Sequence, residues 1–194
     1  MGLRKTIVDA LGKQSTLPES TLQALIGALQ DEDWYVRRSA ASALGKQSTL
    51  PESVLQALID ALQDEDMDVE RRAAEALGKQ SVLPESALQA LIDALQDEGM
   101  DVRRRATEAL GSHLILPESA LLALIRALQD KKKEVRDSAS FALGRQSTLP
   151  ERALQDLIDV LQHNNWDVRE SAAYALVNQS TLPDSALQAL IGAL

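Results

Sequence analysis

Leu11, Leu44, Leu77, Leu110, Leu143 and Leu176 stand 33 residues apart, with no gap or insertion between them. Each opens a version of one decapeptide: LGKQSTLPES twice, then LGKQSVLPES, LGSHLILPES, LGRQSTLPER and LVNQSTLPDS. A chain that repeats itself at this period cannot wrap around one central core. Each unit is one supersecondary element, and it buries its apolar surface on its neighbours. The spacing divides residues 1–194 into six units, at approximately 1–30, 31–63, 64–96, 97–129, 130–162 and 163–194, which are expected to form a single domain.

Within a unit the apolar period is that of two helices. In DWYVRRSAASALGKQ, residues Val36, Ala40, Ala43 and Leu44 fall at i, i+4, i+7 and i+8, one helical face. Asp33 precedes that run as an N-cap does, and Gly45 follows it as a C-cap does. Asp66, Gly99, Lys132 and Asn165 are the counterparts of Asp33, and Lys132 alone is a poor capping residue. The second helix, LPESVLQALIDALQ, has Thr49 and Glu52 at capping-box spacing with Pro51 in the first turn. Its stripe of Leu55, Leu58, Ile59 and Leu62 is joined by a second one of Val54, Ala57 and Ala61. A helix apolar on two sides has to be covered on two sides, one by its partner helix and the other by the next unit. The fold class expected is therefore all-α: an α-solenoid of six 33-residue helix pairs. The Gln column in the turns (Gln14, Gln47, Gln80, Gln146, Gln179) is expected to form a hydrogen-bonding ladder, broken where His113 replaces Gln.

The composition excludes several functions. A net charge of −9 argues against a general nucleic-acid binder, which needs a basic footprint. No apolar run approaches the roughly 20 residues of a membrane span. The absence of Cys rules out disulfides and suits a reducing cytoplasm. His113 and His163 lie in different units without metal-ligand spacing, and no phosphate loop or nucleophile motif is present. No catalytic residue, metal site or cofactor is expected, so the chain is read as a non-enzyme.

The pattern DxDVRRxAAxALG followed by ALxALIxALQDED resembles HEAT repeats, closest to the short phycobilisome-lyase type. DVRRRATEALG at Asp101–Gly111 and SALQALIDALQDE at Ser86–Glu98 carry the likeness, which extends over essentially all residues. The resemblance implies a right-handed superhelix of antiparallel helix pairs, used mainly to bind other macromolecules. The family's Asp and Arg positions fall on Asp68, Asp101 and Asp167, and on Arg37, Arg103, Arg136 and Arg169. Tyr35 and Glu70 interrupt any ion-pair ladder. The near-identity of the units also resembles artificial helical-repeat binders, in which a constant frame carries varied helix positions. HEAT-type DNA glycosylases are the enzymatic alternative, but they would need a basic face.

The units differ chiefly on the first helix, in four columns: Trp34, Met67, Met100, Lys133, Trp166; Arg38, Arg71, Arg104, Asp137, Glu170; Ser39, Arg72, Arg105, Ser138, Ser171; and Ser42, Glu75, Glu108, Phe141, Tyr174. These fall at i, i+4, i+5 and i+8, a face opposite the buried stripe. Every aromatic residue of the chain is on it, Tyr35 included. Aromatic residues, Met and Arg are the types enriched in protein interfaces. The expected partner-binding residues are Trp34, Tyr35, Arg38, Met67, Arg71, Arg72, Met100, Arg104, Arg105, Lys133, Phe141, Trp166 and Tyr174, recognising a protein or peptide. Two alternatives stand beside this. One is a structural or designed scaffold without a partner of its own. The other is a binder of acidic ligands or nucleic acid through the Arg cluster, with interleaved acids favouring an acidic peptide. Leu114, Ile115 and Leu122 replace polar framework residues and are read as local repacking. Finally, Leu187, Leu190, Ile191 and Leu194 continue the apolar pattern to the end of the sequence, so end-to-end self-association through the C-terminal repeat is expected.

Overall fold

The structure, a computed structural model, describes residues 2–14, 16–179 and 181–193. Twelve α-helices and no strand occur among the described residues. The first helices of the six units are α1 (Leu3–Leu11), α3 (Trp34–Leu44), α5 (Met67–Gly78), α7 (Met100–Gly111), α9 (Lys133–Gly144) and α11 (Trp166–Val177). The second helices are α2 (Glu19–Ala28), α4 (Glu52–Asp60), α6 (Glu85–Ala94), α8 (Glu118–Ala127), α10 (Glu151–Val160) and α12 (Asp184–Gly192). A short 3-10 turn, Ala61–Gln63, continues α4. The chain divides into two compact bodies, Met1–Leu91 and Ile92–Leu194, with the division falling inside α6.

Both apolar stripes expected on the second helix are covered. In the first body Val54, Leu55, Leu58, Ile59, Ala61 and Leu62 are all buried, as are Val36, Ala40, Ala43 and Leu44 of α3. In the second body Ala120, Leu121, Leu124, Ile125 and Leu128 repeat the arrangement, with Val135, Ala139, Ala142 and Leu143 opposite them.

The helix starts follow the expectation on the first helices and depart from it on the second. The Asp33 carboxylate accepts the Tyr35 N–H at 3.0 Å, Asp66 accepts from Asp68 and Val69, and Asn165 accepts from Asp167. The capping box at Thr49 does not form. Pro51 is the N-cap, in extended backbone, and its carbonyl takes the first helical bonds from Val54 and Leu55. The reason is local. A residue preceding proline is held out of helical geometry, so Leu50 cannot be the first helical residue that a Thr49 cap requires. Glu52 instead occupies the first turn, where the positive end of the helix dipole favours it.

The glycines ending the first helices also have a role other than the one expected. Gly45 and Gly12 keep right-handed backbone, so no left-handed cap is made. They sit where the next first helix comes closest. A Cβ on Gly12 would lie 2.9 Å from the Cβ of Ala43, one on Gly45 2.9 Å from that of Ala76, and one on Gly111 2.7 Å from that of Ala142. Carbon atoms prefer about 3.5–4.0 Å, so only glycine fits this packing. Within each body the first helices consequently pack on one another more extensively than the second helices do.

The Gln ladder is present within each body. Gln47 Nε2 donates to the Gln14 carbonyl at 3.2 Å, and Gln80 Nε2 to the Gln47 carbonyl at 3.3 Å. In the second body Gln146 Nε2 donates to the His113 carbonyl at 2.9 Å, while its Oε1 accepts from the Leu116 N–H. The last rung is displaced. Gln179 donates to the Leu143 carbonyl rather than to Gln146, at a junction where Val177 replaces the column's glycine and Gly144 faces Asn178 instead of an alanine. Leu114 and Ile115 are exposed rather than repacked, because the turn carries them outward; Leu122 is half-buried.

Candidate recognition face

Along a helix each residue advances about 100°, so the Trp34, Arg38 and Ser42 columns share an arc of about 80°. The structure leaves that arc open. Trp166 is 61% exposed, Phe141 54% and Tyr174 50%, and Met67, Lys133 and Tyr35 are exposed as well. Arg38, Arg71, Arg72, Arg104 and Met100 are half-buried. The third column sits less outward than expected. Ser39, Ser171 and Arg105 are buried, since a position five residues on lies about 140° round the helix, at the edge of the covered arc.

Trp34 is half-buried and does not stand alone. Its ring stacks on Tyr35 with centroids 3.7 Å apart, and the Arg38 guanidinium lies 5.8 Å from both rings. In the second body the Arg145 guanidinium lies 5.7 Å from the Phe141 ring. Phe141 thus forms a ridge between two clefts. One, about 430 Å³, lies between α7 and α9 and includes Glu108 and Arg145; the other, about 330 Å³, lies between α9 and α11 and includes Tyr174 and Glu170.

The arginines that looked like a basic cluster are spoken for. Arg37 is buried and donates twice to the Asp64 carboxylate, at 2.8 and 2.9 Å, and to the carbonyls of Asp31 and Glu32. Arg103 does the same with Asp130, at 2.6 and 3.1 Å, and with the carbonyls of Asp97 and Glu98. Arg4 pairs with Asp31 at 2.8 Å. These inter-unit pairs use Asp31, Asp64 and Asp130, 27 residues after each arginine, rather than the Asp68, Asp101 and Asp167 column. That column is engaged mainly within its own helices, and Arg136–Asp167 is a rung that joins the two family columns across units. Asp68 bonds Arg71 and lies 3.7 Å from Arg38, Asp101 takes Arg104, and Asp167 takes Arg136 at 3.3 Å. Arg72 pairs with Glu75, and Arg104 and Arg105 share Glu108.

Charge is tuned accordingly. Burial pushes the Asp130 carboxyl up, but its bonds from Arg103 and the Lys132 N–H outweigh this and hold it below the usual carboxylate range. The bond from Arg71 likewise lowers the Asp68 carboxyl. Among the described residues no group of three or more His, Cys, Asp or Glu is placed to hold a metal ion, and no helix is long and apolar enough to cross a membrane.

Sequence reasoning found the exposed aromatic columns and the interleaved acids Asp68, Glu75 and Glu108, but missed the clefts beside Phe141 and the inter-unit acids Asp31, Asp64 and Asp130. The interval of 27 between Arg4 and Asp31, Arg37 and Asp64, and Arg103 and Asp130 was the available signal.

The family model described as HEAT repeats matches residues 2–78, 48–111, 88–177 and 121–194. No curated protein matches the sequence. Solved structures do. One engineered protein is 23% identical with a TM-score of 0.52, covering 90% of this chain and 89% of its own. A second engineered protein is 24% identical with a TM-score of 0.53, but this chain covers only 57% of its length. A designed armadillo repeat protein in complex with peptide (KR)4 is 18% identical with a TM-score of 0.52, covering 90% of this chain and 92% of that one. At these identities the likeness is one of fold, an α-solenoid.

Proposed function

Since the chain belongs to the family of HEAT repeats, we propose that it is a non-catalytic scaffold that recognises a protein or peptide through the exposed face of its first helices. The observation that carries this reading is the placement of Trp166, Phe141, Tyr174, Tyr35 and Met67 outward on a chain that has only five aromatic residues in all. Exposed rings cost solubility, and a solvated helix face has no physical need of them. Interfaces do need them, because rings bring large contact area with few torsions to immobilise.

The alternative of an acidic-ligand or nucleic-acid binder loses support. The arginines on which it depends already hold carboxylates, and a phosphate would have to displace them. The designed armadillo protein of the same fold class holds a peptide, which favours a peptide or protein partner here. A chain without Cys is at home in a reducing compartment such as the cytoplasm.

The test compares the intact chain with a variant carrying Trp34, Tyr35, Trp166 and Tyr174 as Ser in affinity capture from cell extract. The expected result is a discrete partner retained by the first and lost by the second, with unchanged helical circular dichroism. Equal retention by both would remove the first-helix face from the interface.

End-to-end self-association through the C-terminal repeat belongs to the same proposal. Leu187, Ile191 and Val177 are exposed on the last unit and Leu190 is half-buried, while Leu194 lies outside the described residues. Sedimentation over a wide concentration range should show association that a Leu187→Ser, Ile191→Ser variant lacks. A chain that stays monomeric throughout would end that part.

A further inference from the structure

We propose that the cleft between α9 and α11 receives a cationic side chain, arginine above all, of a basic peptide partner; this deepens the first-helix recognition reading and rests on it. The cleft, about 330 Å³, has Phe141 on α9 and Tyr174 on α11 as its rings. Its charged groups are Asp137, Glu170 and Lys133, two carboxylates against one ammonium. Lys133 is already engaged, with its Nζ 3.1 Å from the Asp137 carboxylate. Glu170 makes no hydrogen bond or ion pair among the described residues, and Lys133 feels its charge only through space. One uncommitted carboxylate therefore remains beside two half-exposed rings.

Three kinds of occupant can be weighed against that inventory. An acidic side chain would gain Lys133 but would face Asp137 and Glu170 together. An apolar side chain would fit the rings but would strip water from Glu170 and return nothing. A guanidinium satisfies both features at once: its flat face lies on an aromatic ring and its N–H fork meets a carboxylate. The molecule already makes the first of these contacts on the neighbouring cleft, where Arg145 lies 5.7 Å from the Phe141 centroid. Arg145 borders the α7–α9 cleft and not the α9–α11 cleft, so it leaves the latter open to an incoming cation.

Phe141 is the chain's only phenylalanine, which gives a site-specific probe. The full chain, ring-labelled at phenylalanine and tyrosine, is titrated by nuclear magnetic resonance with three peptides: acetyl-Ala-Arg-Ala-amide, the same peptide with citrulline (the neutral isostere of arginine), and the same with glutamate. The expected result is a saturable shift of the Phe141 and Tyr174 ring signals with the arginine peptide. Its half-saturation should lie roughly tenfold or more below that of the citrulline peptide, with no response to glutamate. Glu170→Gln should weaken arginine binding several-fold while leaving the unliganded spectrum folded. The inference is overturned if citrulline titrates as well as arginine, if the Phe141 ring does not respond, or if Glu170→Gln binds as tightly as the parent. Any of those results leaves the capture experiment on the aromatic variant standing, so the two failures are distinguishable.

Discussion

At Gly111 the distance to the next helix sets the residue. An alanine there would put its methyl 2.7 Å from the Ala142 Cβ, and at Gly45 2.9 Å from the Ala76 Cβ. Gly→Ala in a right-handed helical conformation normally stabilises. Here Gly45→Ala and Gly111→Ala should instead cost about 1–3 kcal/mol by overpacking. Gly27, in the last turn of α2 with nothing within 4 Å of its would-be Cβ, is the control. Gly27→Ala should stabilise by up to about 1 kcal/mol. Urea denaturation of the three variants checks the opposite signs. Asp130 supplies a pH dependence. Its carboxyl titrates below its unfolded value, so its contribution is complete above the unfolded pKa of about 4 and is lost as pH falls through the lowered one. Parent and Asp130→Asn should therefore differ most near neutral pH and converge in acid. A constant gap from pH 7 down to pH 3 would show that the Arg103 pair does not set the shift. Periodicity marked both positions as columns, but it could not show why they recur. A glycine in a column reads the same whether it caps a helix or lets another helix approach, and only the inter-helix distance separates the two.

The helices themselves were legible because two apolar stripes at helical spacing admit no strand reading. The N-terminal turns of the second helices were not, since a Thr and a Glu at capping-box spacing surround a proline that moves the start by local sterics. Charge was legible only in part. Seven arginines in the early-middle units looked like a basic cluster; the acids within the same helices, Asp68, Glu75 and Glu108, were visible as interleaved charge, but Asp64 and Asp130, which hold Arg37 and Arg103, lie in loops of the next unit. The pairs divide by burial. Arg103 and Asp130 have side chains 6% and 11% exposed, and removing one partner leaves a buried charge. Arg103→Ala should cost about 3 kcal/mol, whereas Asp68→Ala, at an exposed intra-helical pair, should leave the unfolding midpoint nearly unchanged. Thermal melts followed at 222 nm measure both. Equal losses would mean that the inter-unit arginines are not the structural ties their geometry indicates.

At the scale of the molecule, six units share one frame, so what distinguishes one from another lies chiefly on the outward arc of the first helices. That arc was legible in the sequence from comparison of the units alone. Its depth was not: Trp34 stacks on Tyr35 beneath Arg38 and is half-buried, while Trp166, followed by Asp167 where the other has Tyr35, stays open. The second helices offer a natural control, because their outward positions, such as Gln56, Asp60 and Gln155, are exposed yet carry no ring. Site-specific photocrosslinking uses that contrast. A photoreactive phenylalanine analogue is placed singly at Trp166, Phe141 or Met67, and at Gln56, Asp60 or Gln155, in otherwise intact protein in cell extract. Recognition through the first helices requires a discrete crosslinked partner from the first set and none from the second. Crosslinks only from the second-helix positions, or none from either set, would contradict it.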